Sequence, residues 1–81
     1  MRRIVDPPVE ALIALRSRWA KRLPTDEGAE IRQVGRWLGV FAIDEDEHGD
    51  PYFAATNFYL FGTDVEAVDV FDELLEEAMS S

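Results

Sequence analysis

The sequence predicts a small single-domain α+β protein, α-β-β-α in order, with an antiparallel hairpin packed by helices and room for a third short strand. Three observations carry this reading. Apolar residues at helical spacing occupy both ends of the chain, one run stopping at Pro24 and the other starting after Thr63. The segment between Pro51 and Gly62 is rich in aromatic and β-branched or small apolar residues, the composition of a strand. His48-Gly49-Asp50-Pro51, dense in turn formers, separates it from a preceding apolar run. At 81 residues the chain makes one domain, 1–81, with a thin core.

Pro7-Pro8 opens the first helix, since proline in a first turn sacrifices no intrahelical bond. Val9, Leu12, Ile13, Trp19, Ala20 and Leu23 follow helical spacing, and Leu15 and Trp19, four apart, can touch. Arg18, Lys21 and Arg22 suit the negative end of the helix dipole. The expected helix is Pro8–Leu23, ended by Pro24. Thr25 to Ala29 reads as a loop around Gly28.

Glu30 to Asp44 reads as one long strand, kinked or bulged at Gly35 and Gly39, with a helical alternative for its first half through Ile31, Val34 and Leu38. As a strand it sets Ile31, Gly35, Trp37, Gly39, Phe41 and Ile43 on one face, and Arg32 and Arg36 on the other. Tyr52 to Phe61 is its antiparallel partner. Alternation puts Tyr52, Ala54, Thr56, Phe58 and Leu60 on one face and Phe53, Ala55, Asn57, Tyr59 and Phe61 on the other. Large rings on both faces call for two covers: the first helix on one, and the final helix or a second copy on the other.

Gly62 ends the strand. Thr63 with Glu66 forms a capping box, and Asp64 adds favourable charge to the first turn. Val65, Val68, Phe71, Leu75 and Ala78, flanked by Val70 and Leu74, form the apolar stripe of a final helix over Asp64–Met79.

The composition excludes several classes. There is no cysteine, so disulfides, thiolate metal sites and cysteine nucleophiles are ruled out, and a cytoplasmic location is expected. Met1-Arg2-Arg3 starts like a signal peptide, but Asp6, Pro7, Pro8 and Glu10 follow in place of an apolar core. No run approaches the roughly 18 apolar residues of a membrane span. A net charge of −9 opposes direct binding to nucleic acid or to an anionic membrane.

Few catalytic constellations survive. The single histidine, His48, sits in an acidic turn, and no arrangement brings Ser17 to it while keeping the helix stripe buried; the other serines, Ser80 and Ser81, end the chain. Gly35 and Gly39 lack the third glycine or the lysine of a phosphate-binding loop. Asp44-x-Asp46-x-His48-Gly49-Asp50 resembles the first half of a calcium-binding EF-hand loop, with oxygen ligands at alternate positions and glycine at the sixth. The twelfth position is Ala55, where that family has a bidentate glutamate, and strands flank the loop in place of helices. No metal and no cofactor are assigned. Many carboxylates are present, but nothing singles out an acid–base pair, so the reading is not an enzyme.

Charge distribution is the informative feature. Through Arg36 there are eight bases and five acids; from Trp37 onward there are twelve acids and no Lys or Arg. Glu66, Asp69, Glu73, Glu76 and Glu77 fall on one face of the final helix, with Asp72 beside them. Each like-charge pair at such spacing destabilises a helix by about 0.2–0.5 kcal/mol. No cation offsets it, and such local inconsistency is where function concentrates.

In size and charge the chain resembles small acidic proteins of phages and mobile elements that block nucleases, such as anti-CRISPR and anti-restriction proteins, and the immunity proteins and antitoxins that cap basic toxins. The resemblance implies a nucleic-acid mimic acting on a basic protein surface, that of a nuclease or nucleic-acid-binding protein. The expected binding residues are Asp44, Glu45, Asp46, Glu47 and Asp50 in the turn, Glu66, Asp69, Asp72, Glu73, Glu76 and Glu77 in the helix, and Tyr59. The alternative is a homodimeric structural or adaptor module whose acidity serves solubility or a high-salt environment.

Overall fold

The computed structural model describes residues 1–80. In chain order they form β1 (Arg2–Arg3), α1 (Val9–Arg16), β2 (Lys21–Pro24), β3 (Ala29–Val34), β4 (Trp37–Glu45), β5 (Pro51–Leu60) and α2 (Asp64–Ser80). The strands build one antiparallel sheet in the order β1-β5-β4-β3-β2. The α+β class and the hairpin around the Asp44–Pro51 turn are as expected. Three further strands extend the expected α-β-β-α order.

The first helix is half the expected length. Pro8 provides no side-chain cap, but its carbonyl accepts from the Ala11 and Leu12 amides. At the other end Ser17 breaks the helix: its hydroxyl donates to Ala14 O at 2.7 Å and accepts from the Trp19 amide, and its backbone is extended. A turn follows, and from Lys21 the chain belongs to β2, where Leu23 points inward by strand alternation and its helical spacing is coincidental. Trp19 leaves the helix and is 76% exposed, so it does not pack on Leu15.

The expected long strand is two strands. Gly35 takes φ +53° and, with Arg36, makes a two-residue hairpin loop between β3 and β4, glycine at the first central position supplying the twist such loops need. The fold-back pairs Arg32 with Gly39, so Arg32 shares a face with Phe41 and is not opposite it. A second correction concerns β5. Val40 pairs with Asn57 and Phe41 with Ala55, leaving Thr56 as the extra residue of a bulge whose hydroxyl donates to Val40 O at 3.0 Å. The bulge resets alternation, and Phe53, Ala55 and Phe58 join one face.

The two helices lie on opposite faces of the sheet. Leu15, Phe41 and Phe58 form the core under α1, with Leu12, Trp37 and Phe53 at its edge. Leu23, Leu38, Phe61, Ala67 and Phe71 form the core under α2. Adjacent residues of β4 show the division: Leu38 faces Phe71, while a side chain at Gly39 would meet Leu15 Cδ1 and Phe41 Cε1 at 3.0 Å.

Candidate acidic interface

α2 is set by its first turn and by its apolar side. Thr63 Oγ1 accepts from the Glu66 amide at 3.1 Å, the expected N-cap, and Asp64 Oδ1 accepts from the Val65 amide at 2.9 Å. Ala67 and Phe71 are buried, and Val68, Val70, Leu74 and Leu75 are half-buried beside them. This docking turns every carboxylate outward: Asp64, Glu66, Asp69, Asp72, Glu73, Glu76 and Glu77 are all exposed. Among the described residues none of these seven lies within ion-pair distance of a cation. The last turn holds no base, so Glu76 and Glu77 meet the negative end of the dipole uncompensated.

Three arginines are engaged elsewhere. Arg32 is 5% exposed; its Nε donates to Glu30 Oε1 at 2.7 Å, and its guanidinium stands over the Phe41 ring. Arg22 Nη2 donates to Ser17 O at 3.0 Å and Arg32 Nη1 to Leu15 O at 3.4 Å, so two strand arginines meet the carbonyl end of α1. Arg36 Nε donates to Phe61 O at 2.8 Å. With α1 and α2 on opposite faces, the basic residues of α1 do not neutralise the carboxylates of α2.

The turn between β4 and β5 adds a second acidic group. Asp44, Glu45, Asp46, Glu47 and Asp50 are all exposed. Asp46 Oδ1 accepts from the His48 and Asp50 amides at 2.9 and 3.0 Å, and Gly49 takes φ +81°. That carboxylate closes the turn on itself, as aspartate does in tight loops. No group of three or more His, Asp or Glu able to hold a metal ion occurs among the described residues.

Topology brings a third acidic segment to the same end, one that sequence reasoning missed. Ala29 pairs with Ala42, which sets the turn before β3 beside the end of β4. There Asp26, Glu27 and Glu77 rim a cleft of about 290 Å³ floored by Leu23, Ile31 and Leu74. The β2–β3 and β3–β4 pairings, absent from the sequence reading, together locate Asp26 and Glu27 near α2. Tyr59 stands apart from this surface: it is half-buried against the core under α2, paired with Arg3 on one side and Leu38 on the other.

No helix among the described residues is long and apolar enough to cross a membrane. Comparison with protein-family models, with curated proteins and with solved structures gives no match.

Proposed function

We propose that this is a non-enzymatic, cytoplasmic binding protein that occupies a basic surface of another protein with α2 and the acidic end of the sheet. The single observation that carries the reading is the row of seven exposed α2 carboxylates with no cation within ion-pair distance among the described residues. Such a row carries a cost in helix stability that a cationic partner would reverse on binding. A surface evolved to hold phosphates is the natural complement, so the partner is a nuclease or other nucleic-acid-binding protein. An anti-defence role against CRISPR or restriction enzymes, or an immunity or antitoxin role, belongs to this class.

The test is capture of partners from lysate at low ionic strength, followed by displacement of a duplex DNA oligonucleotide from the captured protein. Charge reversal at Glu66, Asp69, Glu73 and Glu76 to Lys is expected to abolish capture while the far-UV spectrum stays unchanged. Unaltered affinity after that reversal refutes the reading. The second reading, an adaptor held by apolar contacts, is favoured by the exposure of Val9, Ile13 and Trp19 around α1. Binding that survives about 0.5 M salt, where screening shortens the range of charge effects below about 8 Å, selects it.

A further inference from the structure

The outer edge of β5 is mostly open. β1 pairs with Tyr59 and Leu60, and the Ile4 amide donates to Phe58 O at 2.9 Å. From Pro51 to Asn57 no strand lies beside β5 on that side among the described residues. This stretch, Pro-Tyr-Phe-Ala-Ala-Thr-Asn, holds no charge. Pro51 offers a carbonyl alone, but the remaining backbone donors and acceptors of this uncharged aromatic strand form a template for another strand. The opposite edge is built differently: β2 carries Lys21 and Arg22, charges that discourage pairing. Beside the open edge Ile43 and Tyr52 are 56% and 48% exposed, and with Pro51 and Phe53 they line a shallow apolar hollow.

We infer that a second copy of this chain joins at this edge, antiparallel across a twofold axis, through Pro51–Ala55. Three features select that occupant. An antiparallel edge meets its own copy with the same residues, the isologous contact of a closed dimer. Pairing centred on Phe53 sets Tyr52 opposite Ala54 of the second copy, ring against methyl, on both sides of the axis, and it stops short of the bulge at Thr56. It also sends each hairpin tip, with Asp46, Glu47 and Asp50, along the other copy's β5 toward that copy's Arg2 and Arg3. The blunted β2 edge then ends growth at two copies.

The axis is perpendicular to the sheet, so both α2 helices lie on one side of the joined sheets. Each α2 packs over β3 and β4. Four strand spacings of about 4.8 Å then separate the two helices, roughly 19 Å between two acidic rows. The dimer stands independently of the proposed function, and its failure leaves the single acidic row as described.

Sedimentation equilibrium tests it with a matched pair of variants. The native chain is expected at twice its 9.2 kDa mass. Tyr52→Glu and Ala54→Lys, each alone, are expected to be monomeric, because each sets an unpaired charge in the uncharged seam. Mixed in equal amounts they are expected to recover a dimer. One of the two cross-strand contacts then sets the introduced carboxylate against the introduced ammonium, and the other keeps Tyr52 against Ala54. That recovery also shows that both variants fold. A native chain that stays monomeric at millimolar concentration overturns the inference. So does a dimer that persists in both variants, or a mixture that stays monomeric.

Discussion

The guanidinium carbon of Arg32 stands 4.2 Å from the centroid of the Phe41 ring, and both residues are buried. Arg16 approaches the same ring at 5.4 Å, and Arg32 lies 5.4 Å from the Phe53 ring. Glu30 completes the group through its 2.7 Å contact with Arg32 Nε. A buried cation held by one carboxylate, a ring and a helix carbonyl is sensitive to loss of any partner, and breaking such a pair costs about 3–5 kcal/mol. Arg32→Ala is therefore expected to cost about 3 kcal/mol in urea unfolding. Arg32→Lys should recover only part, because an ammonium lacks the planar fork. Equal stability for Arg32→Ala and the native chain would show that the stack contributes nothing.

Gly39 lies under Leu15 of α1. A methyl there meets Leu15 and Phe41 at 3.0 Å, so Gly39→Ala is expected to destabilise by about 1–3 kcal/mol through overpacking. Gly62→Ala is the control: its nearest neighbour is the flexible Glu66 carboxylate at 3.5 Å, and the change is expected to be within about 0.5 kcal/mol of neutral. Thermal melts of the two variants side by side distinguish crowding from a general intolerance of alanine.

Gly35 tests the hairpin. Its φ of +53° costs an ordinary residue roughly 1–2 kcal/mol, and asparagine less. Gly35→Ala should lower the melting temperature by about 4–8 °C for each kcal/mol lost, with Gly35→Asn between it and the native chain. Identical melting of all three would place the turn elsewhere than Gly35-Arg36.

The α2 carboxylates make a prediction of opposite sign. Glu73→Lys and Glu77→Lys each replace a like-charge neighbour with an attractive one, and each is expected to stabilise by about 0.2–0.5 kcal/mol. Added salt should raise the melting temperature of the native chain more than that of the double variant, since the Debye length falls to about 3 Å at 1 M. A native chain indifferent to salt would mean that the row carries little repulsion.

How far the sequence was readable follows from which forces are local. The final helix is legible almost to the residue, because the Thr63 cap and the stripe through Phe71 lie within one element. The acidic row was legible for the same reason. The first helix reads too long because Leu23 satisfies both a helical period and a strand's inward position, because Ala20 is buried ahead of β2, and because Ser17, which breaks the run, acts through a hydroxyl that has two possible uses. The burial of Arg32 depended on a two-residue turn at Gly35, and the joining of Phe53 to Phe58 on one extra residue at Thr56. A shift of one residue inverts every face beyond it, and periodicity alone does not register the shift. Asp26 and Glu27 reach the acidic end only through the pairing of β2 with β3 and of β3 with β4.

The eight-residue α1 has no side-chain cap at its start and leans on arginines of β2 and β3 at its finish. A helix that short does not persist by itself in water. It follows that α1 forms only after the strands have met, and that it lifts away more readily than the centre of the sheet opens. Hydrogen exchange at Leu12 to Leu15 should therefore run ahead of exchange in β4. Each such opening briefly bares Phe41 and Phe58, the rings that Leu15 otherwise covers.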